Sequence, residues 1–333
     1  MSKKMKRLLV IVLCLMMALA VSACGSNEPA EEAPADDGGG SAAEEVKIGV
    51  VMSDSGGFFQ QFKTGLEASA EAAGFEMAGI YDAADSAKKI DAVKNFANTG
   101  YNYIICHVDS PEQLKPVMEE VQAKGVKFIA YDTAIEGADL IVVTDNTEMG
   151  KIVGKNAVEW VEATFSEGDT VQAGILGYSS FPFLVERADG IKAALAESKI
   201  KIEIVDEQDA GGLNNDGTNV GNTWLTQYPD MNLVVGINDA GAVMLYNSWK
   251  AGNKKDQDKV GIFAVDALPD ALQAIRAGGM YRGTADNKPA DIAQSTIDAI
   301  TAASEGDGTF DQKEIVFLPG PVNASNISEY PES

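Results

Sequence analysis

Val46-Lys47-Ile48-Gly49-Val50-Val51-Met52-Ser53-Asp54-Ser55-Gly56-Gly57-Phe58-Phe59 is the stretch from which the fold can be read. An apolar, β-branched run reads as a buried strand, and the Ser-Asp-Ser-Gly-Gly segment after it reads as a turn. Phe58, Phe62, Leu66 and Ala70 then recur four apart, the period of one helix face. The same alternation continues downstream. Strands are expected at 46–52, 75–81, 103–107, 126–131, 140–144, 171–176, 200–205, 233–237, 260–265 and 281–285. Amphipathic stretches such as Val153, Ala157 and Val161 lie between them. Strands that are apolar throughout and separated by helices indicate parallel sheets covered on both faces. The expectation is an α/β protein of two doubly wound domains.

Many of these strands end in a polar residue: Ser53-Asp54, His107-Val108-Asp109, Asp132, Thr144-Asp145-Asn146, Asn238-Asp239, Asp266 and Asp286-Asn287. Open α/β sheets bind ligands at the carboxyl ends of their strands. Some of these side chains merely cap the following helix. The rest would line a cleft rich in fixed acceptors, suited to a neutral ligand bearing several hydroxyls. Adjacent Phe58 and Phe59 cannot both enter one core face, so one ring is expected over the cleft, where it can cover the C–H face of a sugar.

Upstream, Lys3, Lys4, Lys6 and Arg7 precede an uncharged apolar run from Leu8 to Ala20 that is shorter than the ~20 residues needed to span a bilayer. Val21-Ser22-Ala23-Cys24 closes it and resembles the bacterial lipobox, which implies a signal peptide over 1–23 and lipidation of Cys24. Residues 24–45 are rich in Glu, Ala, Pro, Asp and Gly and read as a solvated tether. The net charge of -24 opposes binding to nucleic acid. Of the three cysteines, only Cys106 would remain free after processing, so no intrachain disulfide is expected.

The ordered series Gly57-Phe58-Phe59, Asp109, Thr144-Asp145-Asn146, Glu186-Arg187 with Gly190, Asn238-Asp239, Asp266 and Asn287-Lys288-Pro289 resembles the type I periplasmic binding proteins of sugar ABC importers. Ribose- and galactose-binding proteins are the most similar in pattern. The resemblance implies two Rossmann-like lobes, 46–145 plus 288–317 and 146–287 plus 318–333, joined by three crossings of the chain. It implies Asp109 as the first-lobe acceptor, Asp266 and Asn238 as second-lobe hydroxyl binders, Asn287 in place of a hinge glutamine, and Phe58 and Phe59 as the stacking pair. Arg187 matches the second of two family arginines, the one whose role is more often structural.

The sequence also departs from that pattern. Val185 stands where the ligand-reaching arginine would be, Gly56 where an asparagine would be, and Gly211-Gly212 near the second-lobe stacking phenylalanine. Phe181 and Phe183 either replace the lost ring or pack as a flap. Asn214-Asn215-Asp216-Gly217 lacks the ligand spacing of a calcium loop. Cys106 and His107 point to opposite faces of a strand, and His107 is the only histidine, so neither nucleophilic nor metal catalysis is expected. No phosphate loop or catalytic triad is legible.

The reading is therefore a non-enzymatic, cofactor-free, monomeric receptor outside the cytoplasm. It would be lipid-anchored and would deliver a monosaccharide or polyol to an ABC permease with its ATPase. A nucleoside or furanone autoinducer, or a sensory role beside a chemoreceptor or histidine kinase, stays open.

Overall fold

The computed structural model describes residues 45–54, 56–210 and 216–332. The leader, Cys24 and the acidic stretch before residue 45 lie outside the described residues, as do Gly211-Gly212 and Asn214-Asn215. One sheet contains β1 (Lys47–Val51), β2 (Glu76–Ile80), β3 (Tyr103–His107), β4 (Lys127–Tyr131), β5 (Leu140–Thr144) and β11 (Glu314–Phe317). Its spatial order is β11-β5-β4-β3-β1-β2, parallel throughout. The other contains β6 (Thr170–Gly177), β7 (Lys201–Asp209), β8 (Met231–Gly236), β9 (Gly261–Phe263), β10 (Tyr281–Asp286) and β12 (Gly320–Asn323). Its order is β12-β10-β9-β8-β6-β7, with only the β10–β12 pairing antiparallel. These are the doubly wound α/β lobes that the alternating pattern predicts.

Each sheet is covered on both faces because its strands are buried on both. Helices α1 (Gly57–Ala73) and α9 (Pro289–Glu305) close one face of the first sheet through Phe62, Leu66, Ile292 and Ile297. On its other face lie α2 (Ser86–Asn98) and α3 (Pro111–Gln122), which bury Val93, Phe96, Leu114 and Met118. In the second lobe α4 (Asn146–Thr164) and α5 (Pro182–Leu195) bury Val153, Val161 and Ile191. Helices α6 (Asp216–Gln227), α7 (Asp239–Ala251) and α8 (Pro269–Ala277) pack Trp224, Trp249 and Ile275 against the opposite face. Along the chain, the sheet changes between β5 and β6, between β10 and β11, and between β11 and β12. Since α4 packs on the second sheet and α9 on the first, two of these crossings fall at Asp145-Asn146 and Asn287-Lys288.

Edge strands depart from the expected apolar pattern. β2 and β7 are largely solvent-exposed, because an edge strand needs only partial cover. β7 extends to Asp209, beyond the expected apolar run, because pairing with β6 continues through charged residues. β11 and β12 have no counterpart among the expected strands. They are short, their burial is mixed, and they complete the two sheets only after long-range return of the chain.

Helices α4 and α5 approach unusually closely. A Cβ on Gly150 would lie 2.0 Å from the Arg187 carbonyl oxygen, and one on Gly190 would lie 2.2 Å from that of Thr147. Both neighbours are backbone, so neither can swing aside. This contact also fixes the helix that carries Arg187. Gly150→Ala is expected to force the helices apart at a cost of about 1–3 kcal/mol, read as a lower melting temperature in thermal denaturation.

Candidate ligand-binding cleft

The carboxyl ends of strands from both sheets meet across the space between the lobes. Described non-glycine residues with positive φ concentrate there: Asp132 (73°), Asp266 (114°), Ala267 (51°) and Lys288 (51°). Such backbone conformations are disfavoured for residues with a Cβ and persist where surrounding contacts over-determine them. For Asp132 and Asp266 those contacts include backbone hydrogen bonds from their amides to the carbonyls of Val142 and Ala285, at 2.9 and 2.8 Å.

Arg187 joins the second lobe to one crossing. Its Nε and Nη2 both donate to Oδ1 of Asn146, at 3.0 and 2.7 Å, and Nη1 donates to the Ile237 carbonyl at 2.8 Å. Asn146 in turn donates from Nδ2 to the Thr144 carbonyl at 3.3 Å. Thr144 Oγ1 donates to Asn287 Oδ1 at 3.2 Å, and Asn287 also hydrogen-bonds the Asp266 carboxyl. One buried network thus links both crossings. Three of the expected binders, Arg187, Asn287 and Asp266, are members of it.

The first-lobe carboxylate facing the second lobe is Asp132. Its field acts on both Arg187 and Asp266. Asp109, expected in that role, is instead held by the buried Lys89, with Nζ and Oδ2 2.5 Å apart. Its Oδ1 is buried without a protein partner, leaving a single oxygen for other contacts. β3 and β4 both run into an aspartate, and only packing shows that Lys89 lies under one of them.

His107 is the last residue of β3. Its Nε2 lies 3.2 Å from Asp132 Oδ2 and its Nδ1 2.6 Å from Ser53 Oγ. In the neutral ring, Nε2–H donates to the carboxylate and Nδ1 accepts from the hydroxyl. The polar ends of β1, β3 and β4 are thereby tied together. The signal available in the sequence was its place at a strand end.

Aromatic rings border this chain of bonds. Phe58 is parallel to Tyr131 at 6.3 Å, whereas Phe59 meets His107 edge-on at 4.9 Å. Both rings pack partly buried against the first-lobe core, and Phe59 also reaches the end of β3 through His107. Phe183 of the second lobe reaches His107 at 6.4 Å, and Phe181 stacks on Phe183 and meets Tyr178 at a tilt. Phe183 thus brings a second-lobe ring to the first-lobe site. Val185 points outward and is 38% exposed. Asn238 caps α7, accepting from the Gly241 amide at 3.1 Å.

Burial dominates the electrostatics. It pushes the Asp266 carboxyl up to about 7, with Arg187 opposing and Asp132 and Asp286 reinforcing the shift. Asp239, fully buried, is driven well above the usual carboxylate range by the same cause, and is held by Tyr281, Thr284 and the Leu268 amide. Burial raises the Cys106 thiol to about 12, which keeps it unreactive. A separate cavity of about 260 Å³ lies beside Lys288, between Gln61 of α1 and Leu272, Arg276 and Tyr330.

A family profile described as a periplasmic binding protein domain matches residues 48–308. The chain belongs to the periplasmic binding protein family. Among its relatives, the xylitol-binding protein of Mycolicibacterium smegmatis is 23% identical over 266 residues, covering 79% of this chain and 70% of that protein. The ribose import binding protein of Haemophilus influenzae is 23% identical over 282 residues, covering 83% of this chain and 86% of that protein. The crystal structure of an ABC transporter solute-binding protein from Mycobacterium smegmatis with bound glycerol superposes with a TM-score of 0.74 at 25% identity. The match covers 86% of this chain and 96% of that one. These relatives are solute-binding proteins rather than enzymes, and the periplasmic binding protein family places the chain outside the cytoplasm.

Asp266 supplies a pH test of the cleft. Its folded-state pKa is raised, so its favourable contribution is complete below about 4 and is lost as pH rises through about 7. An amide at this position does not ionise. The melting temperature of Asp266→Asn, relative to wild type, is expected to rise as pH increases from about 5 to about 8. A difference independent of pH would contradict this ionisation.

Proposed function

We propose that this protein captures a monosaccharide or small polyol between its lobes and delivers it to an ABC permease and its ATPase. The observation that carries the reading is the meeting of Asp132 and His107 from one lobe with Arg187 and Asp266 from the other. Hydroxyl groups suit such a site because each can donate to a carboxylate while accepting from another group. Phe59 and Phe183 supply apolar surface for the C–H face of the ligand and exclude water from the hydrogen bonds. Asn287, Thr144 and Asn146 would act as the hinge, since a few residues between lobes can absorb the backbone change of closure. The Ser53–His107–Asp132 chain is read as an orienting device for the carboxylate, and the protein as a receptor without enzymatic chemistry. In this reading Asp109 contributes chiefly through Lys89, and Asn238 through the start of α7.

Lipidation at Cys24 would keep the receptor beside its permease and raise its effective concentration there. Cys24→Ala is expected to move the protein from the membrane fraction to the soluble extracytoplasmic fraction. Unchanged fractionation would remove the anchor from this account.

The binding reading is tested by thermal shift and small-angle scattering with a panel of pentoses, hexoses, inositols and alditols. A ligand that raises the melting temperature and compacts the protein is expected. Loss of both responses across the panel would count against capture. With a responding ligand, Asp132→Ala should weaken binding by about 1.5–3 kcal/mol through loss of a charged acceptor. Asp109→Ala should act differently, lowering stability by about 3–5 kcal/mol because it strands the buried Lys89 ammonium. Calorimetric titration and denaturant melts of both variants separate these effects.

A further inference from the structure

The last residues of the chain return to the second crossing. β12 pairs with β10 so that Gly320 lies opposite Asp286, and a Cβ on Gly320 would lie 4.0 Å from Lys288 Cε. The second and third crossings are therefore neighbours. Beyond β12 the chain makes one 3₁₀ turn at Ile327–Glu329 and continues as a strap held by α8. Arg276 of that helix is the anchor: its Nη2 lies 3.3 Å from the Ile327 carbonyl oxygen and 2.8 Å from those of Tyr330 and Pro331. Ile327 and Tyr330 also pack on Ala267, Leu272 and Val322. The strap thus belongs to the framework of the second lobe.

From the strap, Tyr330 Oη donates to Asp286 Oδ2 at 3.1 Å, while Oδ1 of the same carboxylate accepts from the Lys288 amide at 2.7 Å. A carboxylate that bonds the amide two residues on closes a local turn. Here the turn holds Lys288 at φ 51°, a left-handed conformation that a Cβ disfavours. Lys288 caps α9 without a side-chain hydrogen bond, so the entry into that first-lobe helix rests on the turn. Asn287, enclosed in the turn, is buried and accepts from Thr144 Oγ1 at 3.2 Å. Its direction follows from the backbone that Asp286 fixes. On the other side of the strap opens the cavity of about 260 Å³, with Leu272, Arg276 and Tyr330 along one wall and Gln61 and Ala290 of the first lobe along the other. That space leaves room for α1 and α9 to shift without dislodging the strap.

We infer that Tyr330 is a positioning residue for ligand capture: the C-terminal strap makes Asp286 part of the second lobe's rigid body and confines the turning point of closure to Asn287-Lys288. Asn287 is thereby held in its orientation towards the cleft. The inference rests on the capture reading and adds the hydroxyl of Tyr330 to it. Without that hydroxyl, Asp286 and the turn after it sample more conformations in the free protein. Capture must then order them, which weakens affinity.

The test is Tyr330→Phe, which keeps the ring on Leu272 and removes only the bond to Asp286. Hydrogen exchange of the ligand-free full chain is expected to quicken about threefold or more across 286–292 while β4 is unchanged. In calorimetric titration with a ligand that responds in the panel above, the dissociation constant should rise about threefold to tenfold, the ratio that corresponds to one hydrogen bond. Arg276→Gln, which removes the anchor of the strap, should move both readouts in the same direction; if it does not fold, Tyr330→Phe decides alone. A lower melting temperature with exchange and affinity unchanged would mark the strap as merely structural and overturn the inference. Faster exchange with wild-type affinity, or weaker affinity with wild-type exchange, would overturn it as well, leaving capture intact. Failure of the wild-type chain to bind any compound would overturn capture itself, and the inference with it.

Discussion

The two lobes are organised around a buried guanidinium. Taking Arg187 out of water is unfavourable unless its hydrogen-bonding groups are satisfied, and here they are spent on Asn146 at a chain crossing and on the carbonyl at the end of the Ile237 strand region. That requirement fixes α5 relative to α4, and α4 begins where the chain leaves the first sheet. The glycines at 150 and 190 make the geometry attainable by letting the two backbones approach within a distance that any side chain would block. Through Asn146, Thr144 and Asn287 the same network reaches the second crossing and Asp266. The chain crossings and the polar strand ends beside them are therefore held by one set of bonds.

The cleft is also where the protein departs from its own stability rules. Aspartates in left-handed backbone conformations and carboxyls of like charge are brought together, while the cores of both lobes are made of well-buried aliphatic side chains in regular elements. Such local conflicts are expected at functional sites, where the surrounding fold supports what the site alone could not. Asp266 shows the balance directly: burial and neighbouring carboxylates favour its neutral form, Arg187 favours its ionised form, and the result lies near neutral pH.

How much of this was legible in the sequence differs between fold and site. The β-branched runs ending in Ser, Asp or Asn located most strands because burial on both faces demands continuous apolar sequence. β11 and β12 escaped notice because short strands of mixed burial carry little of that signal. For the site, the strand-end pattern picked out polar residues without ranking them. Asp109 and Asp132 look alike in one dimension, yet Lys89, distant in sequence from both, neutralises the first and leaves the second facing the other lobe. His107 gained its place through Ser53 and Asp132, neither of them adjacent to it in the chain.

By itself, then, the sequence determined the alternation of strands and helices, the doubly wound class and the family pattern, because these follow from local periodicity and the ordered placement of residue types. It also determined the excess of acidic residues. Only the tertiary structure decided which carboxylates are paired and which face the other lobe, that Phe59 meets His107 while Phe58 stacks on Tyr131, and how Arg187 ties α5 to a chain crossing. Those outcomes depend on burial and on contacts between residues far apart in the chain, where the energy of a charge or a ring is set by its neighbours in space rather than by its neighbours in sequence.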